Sequence, residues 1–190
     1  MNVRAETAAA TRQALLDAAS ALLDGGGVDA VTLRDVGSGA GVSRSAAYRH
    51  FVDKEDLLMA VSAAAWDSLA TRLRGIAADA TLSPDEALRG ALGALVQVAR
   101  TRPHLYRLMF ARTVGDATAA VQAATRAQDV FLAIVGRIVE GDGMPQMAGL
   151  LMAATHGIVD LDLSGHLTPE KWGTGIDGMV DLLVRIIRPL

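Results

Sequence analysis

Two groups of side chains in this 190-residue chain have the types and spacing to do chemistry. The first is Arg44, Ser45, Tyr48, Arg49 and His50, a dense set of hydrogen-bond donors within seven residues. Guanidinium, hydroxyl and imidazole groups at this density suit phosphate oxygens and the acceptor edges of bases. The second is His156 and Asp160, four apart, with Asp162 and His166 close by in sequence. On a helix that spacing could seat a metal or pair a base with its orienting carboxylate. The plainer reading is a polar cluster at a helix end, or an interface hydrogen bond. No HExxH, no GxSxG and no third ligand at helical spacing supports catalysis, so no catalytic residue, metal or cofactor is assigned.

The first group needs an element to present it, and the stretch from Thr32 to Phe51 supplies two short helices around a glycine-bearing turn. Thr32 is placed to cap the first helix, whose Leu33 and Val36 share a face; Gly39-Ala40-Gly41-Val42 makes the bend. Ser43 caps the second helix, and Ala47 and Phe51, four apart, turn inward. A seven-residue helix cannot hold itself in water, so its polar face is better explained by something it grips, and the plausible partner is DNA.

Ala40-Gly41-Val42-Ser43, then Tyr48-x-His50-Phe51 and Lys54-Glu55-x-Leu57, resemble the signature of the tetracycline-repressor (TetR) family of bacterial transcription regulators, in register from residue 11 to 58. Ser45, Ala47 and Gly37 stand where the family usually has Gly, Leu and Ala. The resemblance implies that Arg44, Ser45 and Ala46 face base edges, with Arg34 reaching in from the helix before. It also implies that Thr32, Tyr48, His50 and Lys54 touch phosphate, and Arg49 belongs to the same basic face. RPHLYRLMF at 102–110 and ATHGIVDLDLSGHL at 154–167 resemble segments of the C-terminal domains of one subgroup of the family.

Composition bounds the rest. The chain is 51% hydrophobic, 21% charged and only 4% aromatic, with abundant Ala, Leu and Val, which favours an all-α fold with a sizeable core. Cysteine is absent, so disulfides and thiolate metal sites are excluded. The N-terminus lacks the apolar core of a signal peptide, and no apolar run is long enough to span a bilayer, so a cytoplasmic protein with no membrane partner is expected. Net charge is −3. Residues 1–54 are balanced, but between Arg34 and His50 three arginines face only Asp35, a local basic patch fit for a few phosphate contacts.

Periodicity predicts nine helices. The first runs from about Thr7 to Asp24 and ends at Gly25-Gly26-Gly27. The reading pair follows, and Asp53 opens a fourth helix, 53–78, with Leu57, Val61, Ala65, Leu69, Leu73 and Ile76 in one stripe. Ser83-Pro84-Asp85-Glu86 starts a fifth, to about Thr101. Pro103 resets the chain for a sixth, 104–113; Gly115-Asp116 starts a seventh that continues to Glu140; an eighth covers 145–164 and a ninth 169–188. The division is a DNA-binding domain at 1–54 and a ligand-binding and dimerisation domain at 55–190, with the fourth helix connecting them.

Trp66, Tyr106, Met109, Phe110, Phe131, Met147 and Met152 read first as core, but Met and aromatics on several helices also make an adaptable apolar pocket. The family resemblance implies a small-molecule effector among helices four to eight, with Arg107, His156 and Asp160 able to orient a polar end. Ala148, Gly149, Ala153, Ala154 and Gly157 allow close helix approach, and the ninth helix is apolar around much of its girth. The resemblance implies a homodimer through helices 145–164 and 169–188, setting two reading helices ~34–36 Å apart, or a multiple, on a palindromic double-stranded operator. The rival readings are a small-molecule binding protein without DNA recognition and an enzyme using the His156/Asp160 region.

Overall fold

The computed structural model describes residues 3–111 and 117–187, and among these every regular element is helical. The helices are α1 (Val3–Gly26), α2 (Leu33–Gly39), α3 (Arg44–His50), α4 (Lys54–Ala78), α5 (Pro84–Thr101), α6 (Pro103–Phe110), α7 (Thr118–Val135), α8 (Met144–Leu163) and α9 (Ile176–Ile186); a single helical turn, Pro169–Trp172, precedes α9. They form two compact units, one of residues 1–66 and 102–123, the other of residues 67–101 and 124–190.

In the first unit α1 buries Leu15, Leu16, Ala19 and Leu23. It runs two residues into the glycines and stops at Gly27, whose φ of +71° is left-handed and whose absent Cβ would lie 3.1 Å from the His104 ring. The backbone hand demands glycine there, and a Cβ would also press on the ring. Thr32 then caps α2: its hydroxyl accepts from the Asp35 N–H at 3.1 Å and donates to the Asp35 carboxylate at 2.6 Å. Gly41, φ +67°, turns the chain into α3. Leu33, Val36, Ala46, Ala47 and Phe51 fill the space between these helices and α1.

Asp53 opens α4 by accepting from the Asp56 N–H at 2.8 Å, while the Asp56 carboxylate reaches back to the Val52 N–H at 3.0 Å. The two aspartates work reciprocally as in a capping box, except that the returning carboxylate takes the N–H of the residue before the cap. α4 belongs to both units, passing from one to the other between Trp66 and Asp67. α6 also sits in the first unit, because Arg102 binds Asp24 through two nitrogens, closing to 2.8 Å, and donates to the Ser20 hydroxyl.

The second unit is built on α5, whose start matches expectation: Ser83 N–H and hydroxyl both donate to the Glu86 carboxylate, at 2.8 and 2.6 Å, and the Glu86 N–H returns to Ser83 Oγ at 3.3 Å. α5, α8 and α9 pack on one another through Leu88, Leu92, Leu95, Leu151, Val159, Ile176, Val180 and Val184. Two elements depart from the sequence reading. α7 ends at Val135, not Glu140, because the next amides turn back to carbonyls three residues away, Arg137 to Ile134 and Ile138 to Val135, and Arg137 donates to the Leu82 carbonyl at 2.9 Å. The ninth helix is broken at Gly173, φ +69°, so Trp172 stands 50% exposed instead of joining the apolar face. The expected start of the seventh helix at Gly115-Asp116, the tail of the sixth at 112–113 and Arg188 lie outside the described residues.

Candidate nucleic-acid interface

α3 is held from below and bare above. Ser43 Oγ accepts from the Ala46 N–H at 3.2 Å, satisfying one of the donors a helix start leaves free. Ala47 and Phe51 are fully covered, and the Arg12 guanidinium lies over the Phe51 ring, 5.1 Å from its centre. The outer side presents Ser45, Tyr48 and Arg49, all exposed, with His50 half-buried at the helix end. Arg34 projects exposed from α2, Thr32 is exposed at its cap, and Lys54 is half-buried in the first turn of α4. The structure thus brings together Thr32, Arg34, Ser45, Tyr48, Arg49, His50 and Lys54 on one unit. Arg44 is the first residue of α3, and its side chain lies outside what the structure describes.

Ala46, expected to face base edges, is 7% exposed and lines a cleft toward α1 together with Ser43 and His50.

Sequence reasoning missed two features. Val52 is 81% exposed two residues beyond the end of α3. A cleft of about 700 Å³ also opens beside α3, lined by Thr7, Ala8 and Thr11 of α1 and by Val42, Ser43, Ala46, Arg49 and His50. The spacing of 7, 8 and 11 is a single helical face and was legible; its opposition to α3 was not.

The residues expected to bind an effector divide. Trp66, Tyr106, Met109 and Phe110 pack on each other in the first unit: the Trp66 and Phe110 rings meet edge-on at 5.2 Å, Tyr106 and Phe110 lie 4.9 Å apart, and Trp66 Nε1 donates to the Met109 carbonyl at 3.3 Å. Phe131 and Met152 lie in the second unit and line a smaller cavity of about 280 Å³ with Gln128, Leu132, Pro145, Ala148 and Gly149. Met147 and His156 are half-buried and Asp160 is exposed. In the first unit the aromatic group packs α4 against α6. Among the described residues no three His, Cys, Asp or Glu are grouped to hold a metal, and no helix is long and apolar enough to cross a membrane.

Known proteins match at both ends of the chain. Residues 15–61 fit the model of bacterial regulatory proteins of the tetR family, and residues 88–187 fit the tetracyclin repressor-like C-terminal domain. The chain is similar to the HTH-type transcriptional repressor KstR2 of Mycobacterium tuberculosis, 37% identical over 79 residues, 42% of this chain and 39% of the repressor, so the match spans well under half of that relative. A solved protein of unknown function from Rhodococcus sp. RHA1 superposes with a TM-score of 0.78 at 29% identity, covering 93% of either chain. PfmR, a TetR family transcriptional regulator from Thermus thermophilus, superposes with a TM-score of 0.64 at 18% identity, covering 91% of this chain and 96% of its own, a likeness of fold.

Proposed function

The chain belongs to the tetracycline-repressor (TetR) family of bacterial regulatory proteins, and from that premise we propose a homodimeric repressor that leaves a palindromic operator when a small, largely apolar molecule binds. It is a helix-turn-helix DNA-binding regulator, and its family and fold are those of transcription regulators rather than of enzymes. The observation that carries the DNA reading is the outward face of α2 and α3: Arg34, Ser45, Tyr48 and Arg49 stand exposed on two capped helices whose inner faces are fully used. In this reading Arg34, Arg44 and Ser45 read base edges, and Thr32, Tyr48, Arg49, His50 and Lys54 hold phosphate. Residues 1–54 carry recognition, and residues 55–190 carry effector binding and pairing. We place the protein in the cytoplasm, where a bacterial operator is.

Pairing is proposed through α8 and the 169–188 segment. Support comes from uncovered apolar surface: Leu150 and Leu161 on α8 are 61% and 43% exposed, and Leu182 and Ile186 on α9 are 41% and 70% exposed. Gly149, Ala153 and Gly157 lie on the same exposed side of α8 and leave room for a helix to approach. The effector reading is supported by the cavity at Phe131 and Met152, apolar apart from Gln128 and close to the lower end of ligand-pocket volumes. Met147, His156 and Asp160 follow or flank Met152 on α8 and remain the proposed polar and adaptable neighbours.

Selection of bound fragments from random DNA tests the function. Enrichment of a palindrome with half-sites one helical turn apart, or a multiple, is the expected outcome. Retention of no fragment above background would overturn the reading in favour of a small-molecule carrier. Turnover of a substrate sensitive to His156 would favour the enzyme.

A further inference from the structure

The cleft between α1 and α3 sets Arg49 and His50, already assigned to phosphate, opposite Thr7, Ala8 and Thr11 of α1, which have no part in the contacts assigned above. Its polar lining is Thr7, Thr11, Ser43, Arg49 and His50, its floor is Ala8, Val42 and Ala46, and no carboxylate lines it. Arg49 is exposed, and no described carboxylate pairs with it. Ser43 Oγ accepts from the Ala46 N–H, so its own proton points to Ser45 or outward. Thr11 already donates to the Thr7 carbonyl at 2.9 Å, which leaves its methyl and lone pairs, not its proton, for a ligand. One wall therefore offers cationic and neutral donors, and the other offers small methyl and hydroxyl surface.

Groove dimensions say what comes here. A helix with its side chains is about 10–12 Å across, and the major groove of B-DNA is ~12 Å wide, so a helix that enters it has a sugar-phosphate chain against each flank. Ser43, Ala46 and His50 form one flank of α3, and that flank opens onto the cleft. Whatever stands across the cleft must face the same strand.

We propose that the cleft seats one backbone segment of the duplex, with Arg49 and His50 on a phosphate and Thr7, Ala8 and Thr11 of α1 against the adjoining deoxyribose. The inference rests on the DNA-binding reading and extends it: α1 becomes part of the footprint instead of only a support for α3. The contact is to backbone alone, so it adds affinity without adding sequence preference.

Ala8 is exposed near the start of α1, so Glu and Lys, both good helix formers, are tolerated there. Binding is measured by fluorescence anisotropy across a salt series, using a labelled mixed-sequence duplex long enough for two half-sites. Ala8→Glu is expected to weaken binding about tenfold and Ala8→Lys to tighten it several-fold, with a salt slope steeper by roughly 0.9 per subunit. Ala21→Glu, the same charge change at an exposed position near the other end of α1, is expected to leave binding unchanged. Equal binding by wild type and both Ala8 variants would overturn the proposal, as would weakening by both, which marks a steric role. Equal loss in Ala21→Glu would reduce the effect to net charge and overturn it too. Wild-type protein that binds no duplex at low salt would sink the DNA reading itself, a different result from any of these.

Discussion

Single side chains decide what α3 reads and where the second unit is under tension. Arg44 opens α3, the position from which a recognition helix reaches base edges, and a guanidinium there suits guanine through two parallel hydrogen bonds. Arg44→Ala should cost about 1–3 kcal/mol and relax preference at one base pair. Titration against the selected operator and its single-base variants checks this, and unchanged affinity would remove Arg44 from the reading set. Thr155 poses the opposite case. It is fully buried in α8, and its hydroxyl has no hydrogen-bond partner among the described residues. A buried orphan of this kind carries a desolvation cost of ~1–3 kcal/mol, whereas valine has nearly the same shape without it. Thr155→Val should therefore raise stability by about 1 kcal/mol in denaturant melts. A fall would mean that the hydroxyl has a partner when the protein works, an ordered water or the effector.

At the scale of the element, helix starts and helix interiors set local stability. The Ser83 hydroxyl and N–H hold the Glu86 carboxyl below its ordinary range, the side-chain hydrogen bond being the larger cause. A depressed carboxylate stabilises the fold above its unfolded value, and the benefit is lost as pH falls through the lower folded value. Melting temperature should thus decline on acidification below pH ~4.5 in part through this box, and Glu86→Gln should flatten that part of the profile. A profile identical to wild type would show that the box contributes nothing to acid stability. Gly37 sits inside α2, where a Cβ would meet Ala47 Cβ and the Val42 carbonyl at an ordinary 3.6 Å. Gly37→Ala should then add about 0.5–1 kcal/mol by removing unfolded-chain freedom without a clash. Lower thermal stability would show that α2 and α3 need a closer approach than the one seen. Ala47, where the family usually has Leu, leaves the room that makes this substitution fit.

At the scale of the whole molecule, the proposed repressor works as a pair. Ile186 is 70% exposed in one subunit, so a charge there costs the monomer little. In the proposed dimer both subunits carry that charge into one self-complementary apolar face, where it has to be desolvated. Ile186→Glu should give monomers in sedimentation with an unchanged helical spectrum, and operator binding should fall below detection because one half-site offers too few contacts. A dimer of undiminished stability would move the interface off α9.

The sequence alone determined the helices with strong punctuation. Thr32, Ser43, Asp53 and Ser83 each cap within the next three residues, and local hydrogen bonds of this kind need no distant partner. The helix-turn-helix and its outward donors were legible for the same reason, together with the family resemblance. Tertiary structure decided the rest. Nothing in the spacing of Trp66, Tyr106 and Phe110 says that they meet as packed rings, and nothing in Arg102 says that it reaches Asp24 and draws α6 into the first unit. Ala46 and Ser45 are neighbours in sequence, yet only the packing of α3 against its unit shows which is covered. The end of α7 and the break at Gly173 were hidden likewise, because apolar periodicity continues through both and only the competing carbonyl partners and a left-handed glycine stop the helix. Local hydrogen bonding is written in residues a few positions apart; burial is a property of surfaces that meet only after the chain has folded.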